Sequence, residues 1–109
     1  MSDLLYLYGL IPTKEANEKS LPSMKGFDGE GELYTIEIGD VTAIVCDLQP
    51  NEYSEETIKD KVDNDMDWLQ EKAFHHHETV LMVSKMYTII PLKFCTLYKN
   101  EDSLKSTIE

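Results

Sequence analysis

Phe74-His75-His76-His77-Glu78-Thr79-Val80-Leu81 is followed, after a short gap, by Ile89-Ile90-Pro91-Leu92-Lys93-Phe94-Cys95-Thr96. The first run belongs to a long segment with helical periodicity. Met66, Leu69, Ala73, His77, Val80, Ser84 and Tyr87 recur at steps of three and four residues, which puts them on one helical face. Near Val80 to Val83 the segment is apolar almost all round, so its end is expected to be buried on more than one side. The second run reads as a strand, Thr88 to Tyr98, with Pro91 inside it. Proline has no N–H to give to a ladder, so this strand is expected at a sheet edge, or with a bulge. In this reading His77 lies in the seam between the long helix and the sheet.

Working outward, Leu4 to Ile11 reads as a buried strand closed by Pro12. Residues 13–31 are polar and carry Pro22, Gly26, Gly29 and Gly31, so they form a loop, with one helical turn near Lys14 to Glu18. Leu33 to Ile38 and Val41 to Leu48 flank Gly39-Asp40. Glycine at the first central position suits a type II′ turn, which predicts a β-hairpin. Tyr34, Ile36 and Ile38 share one face of its first strand. Val41, Ala43 and Val45 share a face of the second, with Ile44 and Cys46 on the other. A strand apolar on both faces belongs inside a sheet. Ser54 is a good N-cap for a short helix over Glu55 to Lys61. Asp63 or Asn64 is expected to cap the long helix, which runs to about Lys85. Asn100 caps a last helix that carries Leu104 and Ile108 on one face.

This order of elements predicts an α+β fold: a small, mostly antiparallel sheet (strand, β-hairpin, later edge strand) packed against a long helix, with a short C-terminal helix. A length of 109 residues predicts a single domain spanning 1–109. No cap signal follows the last helix, so the chain is expected to continue in a longer protein.

The formal net charge is -11, and all ten positive side chains are lysine. Nucleic-acid recognition leans on arginine, and an anionic membrane surface needs a basic face, so neither is an expected partner. No apolar run approaches the ~20 residues that span a bilayer. Leu4 to Ile11 is too short, and too poor in preceding basic residues, for a secretory signal. Cys46 and Cys95 sit in apolar runs and read as buried, reduced thiols of a cytoplasmic protein.

Three consecutive histidines invite a metal. Neighbouring helical side chains diverge by about 100°, so His75, His76 and His77 cannot converge on one ion. A zinc helix uses an i, i+4 pair instead. Asp63, Asp65 and Asp67 resemble the start of an EF-hand loop, but Trp68 stands where glycine is needed and Phe74 where a bidentate glutamate is needed. The acidic cluster from Asp47 to Glu71 reads as a solvated helix face, or as a docking surface for a basic partner. No nucleophile elbow, phosphate loop or dinucleotide fingerprint is present. A pairing of Cys95 with His77 lacks a third group to orient the histidine. No catalytic, cofactor-binding or metal-ligating residue is therefore assigned. A small ligand- or metal-binding module using His77 and nearby aromatic residues is the alternative; an open pocket gathering His77, a carboxylate and Cys95 would favour it.

Leu5-Tyr6-Leu7-Tyr8-Gly9-Leu10, Val41-Thr42-Ala43-Ile44-Val45, Trp68-Leu69, His77-Glu78-Thr79-Val80-Leu81 and Ile90-Pro91-Leu92-Lys93-Phe94 together, in this order, resemble the N-terminal domain of the gas vesicle protein GvpF/GvpL family. Lys93 stands where the family pattern has arginine, and Cys95 where it has glycine. The resemblance implies a non-enzymatic accessory or minor structural protein of gas vesicle assembly, without cofactor. It implies contacts with the main shell subunit and other gas vesicle proteins, in the cytoplasm and at the gas vesicle. It also implies a second domain beyond this one.

Overall fold

A computed structural model of the chain describes residues 4–29, 31–50, 52–94 and 96–108. Three strands carry most of the sheet: β1 (Leu4–Pro12), β2 (Tyr34–Ile38) and β3 (Val41–Leu48). β2 and β3 form the expected hairpin. Gly39 has φ +61°, a backbone shape that the turn requires and that a side chain disfavours. Thr13, the first residue of α1 (Thr13–Glu18), fastens this turn. Its N–H donates to the Asp40 carbonyl and its hydroxyl to the Gly39 carbonyl, both at 2.9 Å.

The strand order is β2-β3-β1-β4, and every described pairing is antiparallel. β3 lies inside the sheet, as its two apolar faces require. β1 is also internal. Its far side meets β4 (Ile90–Pro91) and β5 (Leu97–Tyr98), which follow one another along the same edge. The single strand expected over 88–98 is thus two short ones. Between the pairs Tyr6↔Leu97 and Gly9↔Pro91, three steps along β1 oppose six along the edge. Pro91 cannot extend the ladder, and β1 itself slips register at Tyr8, between Leu7 and Gly9. The edge chain therefore detours. Leu92 N–H donates to the Tyr8 carbonyl at 3.0 Å, and Leu7 N–H to the Thr96 carbonyl at 2.9 Å, so both ends of the detour are stitched down.

The slip at Tyr8 decides what β1 presents. Tyr6, Tyr8 and Ile11 all enter one core, with Ile44, Cys46 and Leu48 of β3. The long helix α3 (Met66–Ser84) closes this core through Val83, helped by Tyr87 beyond its end. Phe27 and Leu33 reach in from the loop before β2. The opposite sheet face, with Leu5, Leu7, Ile36, Ala43 and Val45, is closed by Leu104 of α4 (Glu101–Ile108). Full burial of one leucine contributes about 1.5–3 kcal/mol, and Ile108 of the same helix packs beside it.

The helix starts follow from their caps. Ser54 Oγ accepts from Thr57 N–H at 3.2 Å at the head of α2 (Glu55–Asn64). Asp65 Oδ1 accepts from Trp68 N–H at 3.0 Å at the head of α3. The cap of the long helix is thus Asp65 rather than Asp63 or Asn64, and this one residue separates the two helices. Asn100 Oδ1 accepts from Ser103 N–H at 2.8 Å, as expected for α4. Among the described residues, no helix is long and apolar enough to cross a membrane.

Candidate functional site

The side chains that meet between α3 and the sheet are polar as well as apolar. Tyr6 and Tyr8, two residues apart on β1, point to the same side and face His76 and His75. Tyr6 Oη lies 2.8 Å from His76 Nδ1. His76 Nε2 lies 3.0 Å from the Leu92 carbonyl, which can only accept. His76 therefore carries its proton on Nε2, and Tyr6 donates to Nδ1. The detour in the edge strand supplies that carbonyl. It also brings Phe94 to 6.0 Å from the His76 ring, edge-on.

Tyr8 Oη lies 2.7 Å from His75 Nε2 and 3.7 Å from Cys46 Sγ. The same sulfur accepts from Phe27 N–H at 3.3 Å. Phe27 is the hub of the seam. Its ring stacks on Tyr6 at 4.2 Å between centroids and meets Trp68 and Phe94 at about 6 Å. Lys72 reaches inward across it, with Nζ 5.2 Å from the ring centroid and donating to the Phe27 carbonyl at 2.6 Å.

Burial governs the electrostatics here. It holds both His75 and His76 below the usual imidazole range; nearby Lys72 adds to the effect on His75, while the Leu92 carbonyl opposes it on His76. Burial also pushes the Tyr8 hydroxyl far up, reinforced by Cys46. The Cys46 thiol is pushed up by its own burial, against the Phe27 N–H. A reactive cysteine needs access and a depressed pKa. Cys46 is fully buried and shifted the other way.

The sequence places His77, not His75 or His76, in this seam. The structure reverses that. His77 is exposed, as are Met66, Ala73 and Ser84 of the same stripe, while His76, Thr79 and Val83 are buried. The packed face is turned by about one residue, roughly 100°, from the stripe that apolar periodicity selects. The reason is chemical. Lys72, His75 and His76 are polar by type, but each finds a hydrogen-bond partner inside, so a polar residue pattern marks the buried side. Tyrosines at alternating positions of β1 were the available signal, since a buried hydroxyl needs a partner.

Cavities open at the surface among the described residues. One, of about 390 Å³, lies where α2 begins, between Leu4, Pro50, Ser54, Ile58 and Tyr98. Another, of about 220 Å³, is shallow and is lined by Met24, Lys25, His75, Glu78, Thr79 and Met82. It joins His75 to a carboxylate but does not include His77, and Cys95 lies outside the described residues. His77 lines neither of these two cavities. Asp65, the middle of the Asp63, Asp65 and Asp67 series, is occupied as a helix cap and is 3.6 Å from Lys61. Among the described residues, no group of three or more histidine, cysteine, aspartate or glutamate side chains is arranged to hold a metal ion.

The sequence model of the family described as gas vesicle synthesis protein GvpL/GvpF matches residues 4–109. No curated protein and no solved structure matches the chain. The match takes in β1 with its two tyrosines, the hairpin, the histidines of α3 and the detouring edge strand together. The chain belongs to the gas vesicle synthesis protein GvpL/GvpF family.

Proposed function

We propose that this protein is a non-enzymatic accessory or minor structural component of gas vesicle assembly, acting through contacts with the main shell subunit and other gas vesicle proteins. Family membership over residues 4–109 is the observation that carries the reading, and it gives the role in gas vesicle assembly itself. The side-chain chemistry supports the rest. His75, His76, Tyr6, Tyr8 and the Cys46 thiol are turned toward the seam and hydrogen-bonded among themselves and to the Leu92 carbonyl. The outside is left acidic, with a net charge of -11. A soluble acidic surface suits a protein that keeps an apolar shell subunit from uncontrolled association before it joins the shell. The site of action in this reading is the cytoplasm and the gas vesicle, and residues 1–109 form one domain of a longer two-domain protein.

Capture of the purified shell protein tests this. The wild type is compared with a variant neutralised at Asp60, Asp63, Asp67 and Glu71. Asp47 and Asp65 are kept, because they accept from Tyr34 Oη and cap α3. Capture by the wild type that falls with neutralisation supports the reading. Equal capture removes the acidic face from the mechanism, and no capture by either removes contact with the shell subunit.

A further inference from the structure

The outward side of α3 carries bulky apolar groups that the fold does not use. Met66 is 63% exposed, Phe74 64%, Leu81 42% and Met82 49%. Met66, Phe74 and Leu81 recur at intervals of eight and seven residues. At 1.5 Å per residue they are spaced by about 10–12 Å, one anchor every two turns, along the same side of the helix. Ala73 and His77, also exposed, lie between them. Met66, Ala73 and His77 belong to the stripe that periodicity singled out as a packing face, Phe74 and Leu81 lie beside it, and all five are exposed.

The border of the stripe has one sign of charge. Asp67 and Glu71 are exposed and Glu78 is half-exposed. Neither ion pair among the described residues involves them. The one lysine within α3, Lys72, is turned inward to Phe27, so it does not offset them. The next, Lys85, stands beyond the last helical turn.

We infer that this face of α3 is a docking surface for a cationic amphipathic helix of a partner gas vesicle protein. An elongated row of anchors every two turns matches a helix lying alongside, because its own apolar side chains recur at the same interval. Lysine or arginine along that partner's border would meet Asp67, Glu71 and Glu78. A second copy of this chain is disfavoured, since its acidic border would face the same border. The inference rests on the reading that the protein works by contacts, and adds the surface and the chemistry of the partner.

The test uses an 18-residue synthetic peptide of leucine and lysine with helical periodicity, and an isomer of identical composition with the periodicity scrambled. Affinities are measured for the wild type and for Phe74→Ser/Leu81→Ser, two exposed positions, with the variant's fold checked by circular dichroism. The expected result is wild-type binding about tenfold tighter for the periodic peptide than for the isomer, with that advantage lost in the variant. Equal binding of the two peptides overturns the inference, because charge alone then suffices. A folded variant that keeps the advantage also overturns it, as does a wild type that dimerises through Phe74. Capture of gas vesicle proteins by wild type and variant alike overturns the surface while sparing the reading beneath it. Absence of capture by the wild type overturns both.

Discussion

Tyr6 donates to Nδ1 of His76 at 2.8 Å and joins the first strand to the long helix across 70 residues of sequence. His76 passes the connection on, from Nε2 to the Leu92 carbonyl in the edge detour. One imidazole thus ties together the first strand, the long helix and the edge strand. Tyr6→Phe keeps the ring that stacks on Phe27 but leaves Nδ1 buried without this donor. A loss of about 1–3 kcal/mol is expected in urea denaturation, with the slope unchanged. A neutral result would mean that water or another donor serves Nδ1.

The same histidines set a pH dependence. Burial keeps His75 and His76 below their ordinary value of 6.5 in the folded protein. The unfolded chain takes up their protons near 6.5 and the folded one only at lower pH, so protonation favours unfolding. Their contribution is complete above about pH 6.5 and drains away as pH falls from there through the lowered folded value. His76→Gln does not titrate at this position, and comparison with it cancels the effect of the many carboxylates. The stability gap between wild type and His76→Gln is expected to narrow from pH 8 to pH 5. A constant or widening gap contradicts the assignment.

Gly9 marks where the edge strand comes closest. A Cβ there would stand 2.7 Å from Ile89 Cδ1 and 2.9 Å from the Ile90 carbonyl oxygen. The isoleucine tip can rotate away, but the carbonyl belongs to the β4 ladder. Gly9→Ala is expected to lower stability by about 1–3 kcal/mol, measured as a shift in thermal midpoint. It should also speed amide exchange at Leu92, whose N–H is bonded to Tyr8, next to the strained position.

Cys46 gives a chemical check on the interior. Its thiol is fully buried, accepts from Phe27 N–H, and is pushed above its usual range. A thiol-specific reagent should label Cys46 slowly in the native protein and fast in denaturant, with the site identified by mass spectrometry. Fast native labelling at Cys46 would show an accessible thiol and reopen a chemical role for the seam.

The sequence revealed the framework because the framework rests on local rules. Gly39-Asp40 announces its turn, Ser54 and Asn100 announce their helices, and Pro91 announces an edge. The two apolar faces of β3 locate it inside the sheet. What escaped is non-local. The turn of α3 about its axis depends on which polar groups find partners, and those of His75 and His76 lie on a strand almost seventy residues away. The same is true of the edge detour, where the slip at Tyr8 in one strand meets a donorless Pro91 in another. His77 was misplaced for this reason, since apolar content alone favours a stripe whose Met66, Ala73, His77 and Ser84 the fold leaves outside, while its Val80 and Tyr87 still pack on the core.

Purified shell subunit, offered to the wild type and to His75→Gln/His76→Gln, separates a contact protein from a reactive one. An unrelated acidic protein of similar size and charge gives the background, and circular dichroism fixes a temperature at which the variant is folded. The expected result is capture well above background by the wild type and equal capture by the folded variant, because the histidines hold the interior and the partner meets the outside. Wild-type capture at background, or its loss in a folded variant, would contradict the account.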